Sequence, residues 1–230
     1  MAESPTAPPY ETAGRQLTDH LETAERTRGL LPLLGTVAER LIEVFRSGGR
    51  LYTFGNGGSA ADAQHLAAEL IGRYLRERRP LPAVSLTTDP SVTSCIGNDY
   101  SFEELFARQV RALVRDGDMV IGFTTSGRSP NVVRGLAEAR EAGAVTVLFC
   151  GGEQQGMPAA AHADHSLVVP STTTARIQEM HLTLLHLLSE QADAWAADTE
   201  APTRDSQGAH KSRELQEPPQ TGTEPLETTA

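Results

Sequence analysis

Residues 51–74 read LYTFGNGGSAADAQHLAAELIGRY, and this stretch decides the fold. Its apolar start, with Arg50 before it, predicts a short strand over Arg50–Phe54. Five small or polar residues follow, Gly55–Ser59, which we call the glycine loop. The next segment, Ala60–Tyr74, has the length and composition of a helix. A strand, a tight turn and a helix in this order form the repeating unit of a parallel α/β sheet.

The same alternation continues on both sides of this stretch. Before it, apolar spacing predicts one long amphipathic helix over Gln16–Arg46, which stops at Gly48-Gly49. After it we predict four strands, Pro82–Leu86, Met119–Phe123, Val145–Phe149 and Ser166–Val169, and three helices, Phe102–Val114, Asn131–Ala142 and Ile177–Trp195. Strands that are apolar on both faces indicate a parallel sheet covered on both sides. The prediction is a doubly wound α/β domain with long N- and C-terminal helices, whose ligand site lies beyond the carboxyl ends of the strands.

The chain ends differ in composition from its centre. We expect residues 1–14 to be a flexible segment, residues 15–198 to form one domain, and residues 199–230, which have almost no large apolar side chains, to be a disordered tail. The sequence has no apolar run of 18 residues and no signal-peptide pattern, so we expect a cytoplasmic protein with no membrane partner. Cys95 and Cys150 have apolar neighbours and are expected to be buried thiols rather than a disulfide.

The net charge of -10 argues against nucleic-acid binding, which depends on clusters of Lys and Arg. It does not exclude an anionic substrate, because backbone N–H groups at a helix start can hold a phosphate.

Two loops have the composition of such a site. The glycine loop lies between a strand and a helix start, and so does the segment TTSGRSPN at 124–131, which we call the hydroxyl loop. The first could be only a tight turn, and the second only a serine cap followed by proline. Two such loops at corresponding places in one sheet favour a phosphosugar site over capping alone.

Candidates for the chemistry lie on two predicted helices. His65 and Glu69 are four residues apart and share a helix face, where they could bind a metal or simply form a structural contact. The last helix carries Gln178, His181 and His186 in a leucine-rich segment. A buried neutral imidazole is an equally good interpretation of His186, and spacing alone does not choose between them.

Four ordered blocks of this chain resemble the phosphoheptose isomerase family of SIS-domain proteins. They are GNGGSAADAQHLAAELIGRY (55–74), SCIGNDYSFEELFARQ (94–109), TTSGRSPNV (124–132) and TARIQEMHLTLLH (174–186). The resemblance implies conversion of sedoheptulose 7-phosphate to an aldoheptose 7-phosphate (D-glycero-D-manno-heptose 7-phosphate or a stereoisomer), the first step towards ADP- or GDP-activated heptose. It also implies a homotetramer with active sites at subunit interfaces. It further implies one Zn²⁺ per subunit, held by His65, Glu69, Gln178 and His186.

The resemblance also implies a set of substrate contacts. They come from the glycine loop, the segment after it, the 94–109 block, the hydroxyl loop and the metal positions: Asn56, Gly57, Gly58, Ser59, Glu69, Arg73, Asn98, Asp99, Thr124, Thr125, Ser126, Ser129 and Gln178. Arg128 stands where many relatives have Asn, and Thr124 where some have Ser.

Helix geometry leaves the metal set open, because Gln178 and His186 are separated by about 12 Å of rise and about 80° of rotation. Either the two side chains lean towards each other, or the helix start is bent, or a neighbouring subunit supplies one ligand. For catalysis we assign Glu69 as the base and His186 as the proton donor. A non-catalytic SIS module that binds phosphosugars or acts as an assembly factor is the alternative from another functional class. An isomerase of a smaller sugar phosphate is the alternative within enzymes.

Overall fold

The computed structural model describes residues 9–152 and 156–199. Its centre is a five-stranded sheet in which all neighbouring strands are parallel and the order is β2-β1-β3-β4-β5. The strands are β1 Leu51–Gly55, β2 Ala83–Ser85, β3 Met119–Phe123, β4 Val145–Gly151 and β5 His165–Val169. The predicted doubly wound parallel sheet is therefore confirmed.

Seven α-helices connect and flank the strands in the described part of the chain. They are α1 Pro9–Thr27, α2 Leu31–Arg46, α3 Gly58–Ile71, α4 Pro90–Asp99, α5 Ala107–Leu113, α6 Pro130–Glu141 and α7 Thr174–Thr199. Short 3-10 turns lie at Arg28–Leu30, Phe102–Glu104 and Pro158–His162. Here no helix combines the length and the apolar character that crossing a membrane requires.

Two buried apolar clusters lie on the two faces of the sheet, because consecutive strand residues point to opposite sides. Ile121 packs in the cluster that contains α2, α3 and α7, and its neighbour Val120 packs in the cluster that contains α5 and α6. Helices therefore cover both faces, as the apolar strands predicted.

The N-terminal helical segment differs from the prediction in two ways. Residues 9–14 of the segment that we expected to be flexible are helical, since α1 begins at Pro9. The single predicted helix is divided into α1 and α2 by the turn Arg28–Leu30. Pro32 lies in the first turn of α2, where its missing N–H leaves no hydrogen bond unmade. The predicted tail at 199–230 lies, except for its first residue, outside the described residues.

Helix α4 was missed, because only Ile96 of its ten residues is buried and it therefore shows little apolar periodicity. Asp89 caps its start, because the Asp89 carboxylate accepts hydrogen bonds from the backbone N–H groups of Ser91 and Val92. The same exposure makes the prediction of a buried Cys95 wrong: Cys95 is an exposed free thiol on α4. Cys150 is buried and free, and burial raises the pKa of its thiol to about 12.

Candidate active site

Helices α3 and α7 lie side by side and run in the same direction. Gly58, at the start of α3, approaches the side chain of Gln178 in the first turns of α7, and His65 meets His186 two turns further along. These contacts follow the same order along both helices, which shows that α3 and α7 are parallel.

His65, Glu69 and His186 form a compact group, which we call the site cluster. His65 Nε2 lies 3.0 Å from Glu69 Oε1 and 3.2 Å from His186 Nε2. One ligand atom from each residue can be chosen so that all three lie within 4.8 Å of one another. All three side chains are partly exposed, so a solute can reach them. The ring centroid of Tyr74, a neighbour that the sequence gave no reason to single out, lies 5.7 Å from that of His186.

The site cluster fits a zinc ion. When a tetrahedral zinc ion holds its ligand atoms at about 2.0–2.1 Å, neighbouring ligand atoms lie about 3.3 Å from one another. The observed separations of His65 Nε2 from Glu69 Oε1 and from His186 Nε2, 3.0 and 3.2 Å, are close to this value. Two imidazoles and one carboxylate are also donor types that Zn²⁺ takes.

Gln178 is placed differently from the other predicted ligands. A Cβ atom built on Gly58 would lie 2.4 Å from Gln178 Nε2, so the amide is packed against the start of α3. The start of α3 is about 10 Å along the helix from His65, seven residues later. Within one chain His65, Glu69 and His186 form one group, and the side chain of Gln178 packs against Gly58 of the glycine loop.

The glycine loop and the hydroxyl loop meet at the carboxyl ends of β1 and β3. The side-chain amides of Asn56 and Asn131 donate to each other, with both N–O distances 2.8 Å. Gly57 has a φ of 56°, a conformation that favours glycine. A side chain on Gly55 would lie 2.5 Å from the carbonyl oxygen of Ser59. Sequence reasoning missed Asn131, whose only signal was its place in the hydroxyl loop.

The hydroxyl groups of the second loop face one another and a cleft. Thr124 Oγ1 lies 3.1 Å from Ser129 Oγ, and Ser126 Oγ accepts a hydrogen bond from the backbone N–H of Arg128. A cleft of about 310 Å³ opens beside them, lined by Thr125, Ser126, Arg128, Gly151, Gly152, Met157, Thr172, Thr174 and Ile177. This cleft is polar and lies at the sheet edge where the fold was predicted to bind its ligand.

Three predicted substrate contacts are exposed and bonded within their own segments. Arg73 is exposed, and its Nε lies 3.9 Å from a carboxylate oxygen of Glu77. Asn98 and Asp99 are exposed at the end of α4, where Asn98 donates to Asp99 Oδ1 at 2.7 Å. That hydrogen bond, with a second from Cys95, lowers the pKa of Asp99. The bonds described for all three therefore link them to residues of their own segments.

A buried ion pair fixes the segment after α3 against α7. Asp193 Oδ1 accepts from Arg78 Nε at 3.0 Å, and neither side chain is exposed. Backbone N–H groups of Tyr74, Leu75 and Arg76 also point at this carboxylate. Burial acts to raise the pKa of Asp193, but these N–H groups and the charge of Arg78 outweigh it and lower that pKa. The segment that carries Arg73 and Tyr74 is thereby held beside His186.

A parallel sheet with two phosphate-type loops beside a His/Glu cluster defines a sugar-phosphate-binding α/β protein of the SIS class. Residues 14–151 match the SIS domain family model. The phosphoheptose isomerase of a Roseiflexus species is 53% identical over 159 residues, which cover 69% of this chain and 80% of that protein. The phosphoheptose isomerase of Paramagnetospirillum magneticum is 47% identical over 187 residues, 80% of this chain and 95% of that protein.

A solved structure agrees with these sequence comparisons. The phosphoheptose isomerase of Neisseria gonorrhoeae superposes with a TM-score of 0.75 and 37% identity, covering 80% of this chain and 98% of that one. The chain belongs to the phosphoheptose isomerase family.

Proposed function

We propose that the protein is an aldose–ketose isomerase that converts sedoheptulose 7-phosphate to an aldoheptose 7-phosphate, as the first step of a pathway to nucleotide-activated heptose. One observation carries this proposal: a carboxylate oxygen of Glu69, on α3, and a ring nitrogen of His186, on α7, lie within 4.8 Å of each other. A carboxylate and an imidazole so placed can act on two neighbouring carbons of one substrate.

The reaction moves one proton between neighbouring carbons. Glu69 removes a proton from C1 of the ketose, and the electron pair forms the C1–C2 double bond of an enediolate as the C2 carbonyl oxygen takes up the charge. His186 passes a proton between the two oxygens. Return of a proton from Glu69 to C2 then gives the aldose, so that no atoms or electrons are gained or lost.

The two loops supply binding energy at the other end of the sugar. We assign the phosphate to the hydroxyls of Thr124, Thr125, Ser126 and Ser129, together with Ser59 and the backbone of Asn56, Gly57 and Gly58. Their support is the Asn56–Asn131 amide pair, which links the two loops at the carboxyl ends of β1 and β3. Holding the phosphate there would position C1 and C2 at the site cluster. Arg73, Asn98, Asp99 and Gln178 complete the proposed contacts.

We assign one Zn²⁺ per subunit to the site cluster, with Gln178 as the fourth ligand. A bound zinc ion would polarise the carbonyl and hydroxyl oxygens of the substrate. The amide of Gln178 reaches this position either after a change in its side-chain conformation or from a neighbouring subunit, and its packing against Gly58 favours the second route.

The proposed assembly is a homotetramer with active sites between subunits. Its support is an apolar surface, formed by α1, α2 and α7, that the single chain leaves exposed, with Leu21, Leu31 and Leu187 on it. Isolated leucines on a surface are ordinary, but several on adjoining helices are typical of an interface.

Replacing the proposed base tests the reaction. We expect the wild-type protein to convert sedoheptulose 7-phosphate, with the product identified by NMR, and Glu69→Gln to lose at least about a hundredfold in kcat, because general-base catalysis typically contributes that much. The matched control is Glu77→Gln, since Glu77 is exposed and its ion pair with Arg73 is long. Equal rates for Glu69→Gln and Glu77→Gln would contradict the assignment. Absence of both zinc and turnover in the wild-type protein would favour a phosphosugar-binding module instead.

A further inference from the structure

One buried polar contact between α3 and α7 plays no part in the mechanism above. His181 lies on α7 between Gln178 and His186, and it is fully buried against the rings of Phe123 and Phe149. Its Nε2 lies 3.3 Å from the carbonyl oxygen of Cys150. A carbonyl only accepts hydrogen bonds, so Nε2 carries a proton. In a neutral ring Nδ1 is then an acceptor that needs a donor.

The group that faces Nδ1 is a carboxyl. Asp62 Oδ2 lies 4.0 Å from His181 Nδ1, and neither atom has another hydrogen-bond partner among the described residues. Asp62 lies on α3 between Gly58 and His65, so this pair stands between the Gly58–Gln178 contact and the His65–His186 contact. A buried polar atom without a partner destabilises the fold, so two such atoms that face each other favour a direct hydrogen bond.

Burial acts against the charged form of each partner. Burial raises the pKa of Asp62 to about 6, although the charge of His65 acts to lower that pKa. Burial lowers the pKa of His181 to about 4, although the hydrogen bond to the Cys150 carbonyl acts to raise that pKa. The other titratable groups on α3, β3, β4 and α7 are Cys150 of β4, His65 and Glu69 of α3, and Arg176, Glu179, His186, Glu190, Asp193 and Asp198 of α7. A hydrogen bond made by the protonated carboxyl raises its pKa further.

We propose that Asp62 is a protonated positioning residue that donates a hydrogen bond to Nδ1 of neutral His181. This bond holds α3 against α7 about one turn before the site cluster. It thereby sets the separation of His65 and Glu69, on α3, from His186 on α7. The effect on catalysis rests on the proposed function, whereas the hydrogen bond itself does not.

The variant Asp62→Asn tests whether the Asp62 carboxyl is protonated, and donates a hydrogen bond, or is charged. An Asn amide also donates to Nδ1, so Asp62→Asn should keep kcat within about threefold. Asp62→Ala should lower kcat by about tenfold or more. Its change in KM should be smaller, because misplacing reacting groups costs mainly rate. The control is Asp118→Ala, which removes another buried carboxylate, bonded to the N–H groups of Arg50 and Arg115. It should lower thermal stability and leave kcat unchanged. Equal loss of kcat in Asp62→Asn and Asp62→Ala would overturn the protonated state. Equal kcat in Asp62→Ala and Asp118→Ala would overturn the positioning role.

A spectroscopic readout keeps the hydrogen bond testable without turnover. In ¹⁵N-histidine NMR of the wild-type protein at neutral pH, we expect His181 as the neutral ring protonated at Nε2, with the Nδ1 resonance of a hydrogen-bonded acceptor. Asp62→Asn should retain that signature. A positively charged His181, or an Nδ1 resonance that is free of hydrogen bonding in the wild-type protein, would overturn the proposal. Inactive wild-type protein with the expected spectrum would refute the isomerase function and leave the hydrogen bond standing.

Discussion

Two adjacent glycines in the glycine loop are needed for different reasons. Gly57 has a φ of 56° and open space where a side chain would be, so its requirement is the backbone conformation. Gly58 does not have a positive φ, but a Cβ atom there would meet Gln178 Nε2 at 2.4 Å. Its requirement is space for the amide that we assign to substrate and metal.

This difference predicts opposite effects of two alanine substitutions. Gly57→Ala should lower the free energy of unfolding by about 1–3 kcal/mol, the cost of a residue with a side chain in a sparsely populated backbone region, here φ 56° and ψ -122°. Gly58→Ala should cost little stability, since the end of a flexible side chain can move away, but it should lower kcat by about tenfold through displacement of Gln178. Urea unfolding and steady-state rates of both variants measure the contrast. A Gly58→Ala variant with wild-type kcat would show that the position of Gln178 does not matter.

At the scale of elements, α7 is held at two places along its contact with α3 and the segment after it. Near its start it meets the glycine loop through Gln178, and near its end it holds residues 74–78 through Asp193. The site cluster lies between these two attachments. The rigidity of the site therefore depends on both.

Removal of the far attachment should cost much stability. Asp193→Ala leaves Arg78 charged and buried without its partner, and breaking a buried pair in this way typically costs about 3–5 kcal/mol. The control, Glu190→Ala, removes an exposed partner of Arg76 and should cost less than about 1 kcal/mol. Urea unfolding at neutral pH measures the free energy of unfolding of both variants. Equal small losses of stability would contradict the role given to the buried ion pair.

The pH dependence follows from the lowered pKa of Asp193. An acid whose pKa is lowered by folding stabilises the native state above its ordinary pKa, here 3.8, and loses this effect as the pH falls through the lower, folded-state pKa. The stability difference between the wild-type protein and Asp193→Asn should therefore shrink below pH 3.8. A difference that grew on acidification would contradict this sign.

The sequence predicted the central elements because their signals are local. The strand Met119–Phe123 is apolar throughout and was placed at its observed limits. Helix α4 was missed because burial of Ile96 alone leaves no periodicity. The proximity of His65 to Glu69 followed from helix spacing, but the approach of His186 to His65 and of His181 to Asp62 joins residues more than 100 positions apart. Such contacts are set by how α7 packs on α3, which single-sequence periodicity does not encode.

At the scale of the whole molecule, the described chain leaves leucines exposed on α1 and α7. Leu17 and Leu21 of α1 are 61% and 60% exposed. Leu21 also lines an apolar groove of about 340 Å³ with Leu31, Met180, Leu184 and Leu187. A second subunit that covered this groove would bury apolar surface worth about 25 cal/mol per Å². Since α7 also carries His186, the same contact would bring a neighbouring subunit close to the site.

A charged pair placed in this groove tests the assembly and its link to activity. The double variant Leu21→Glu/Leu187→Glu would bury unpaired charges in the contact. We therefore expect the proposed tetramer to dissociate, because an unpaired buried charge costs several kcal/mol. Light scattering after size-exclusion chromatography measures the mass, and the assay on sedoheptulose 7-phosphate measures the activity. The control, Leu113→Glu, changes an exposed leucine next to the amino-terminal edge of the sheet. If active sites need a neighbouring subunit, the double variant should lose kcat together with its mass, whereas Leu113→Glu should keep both. A monomeric double variant with full activity would show that one chain holds the complete site.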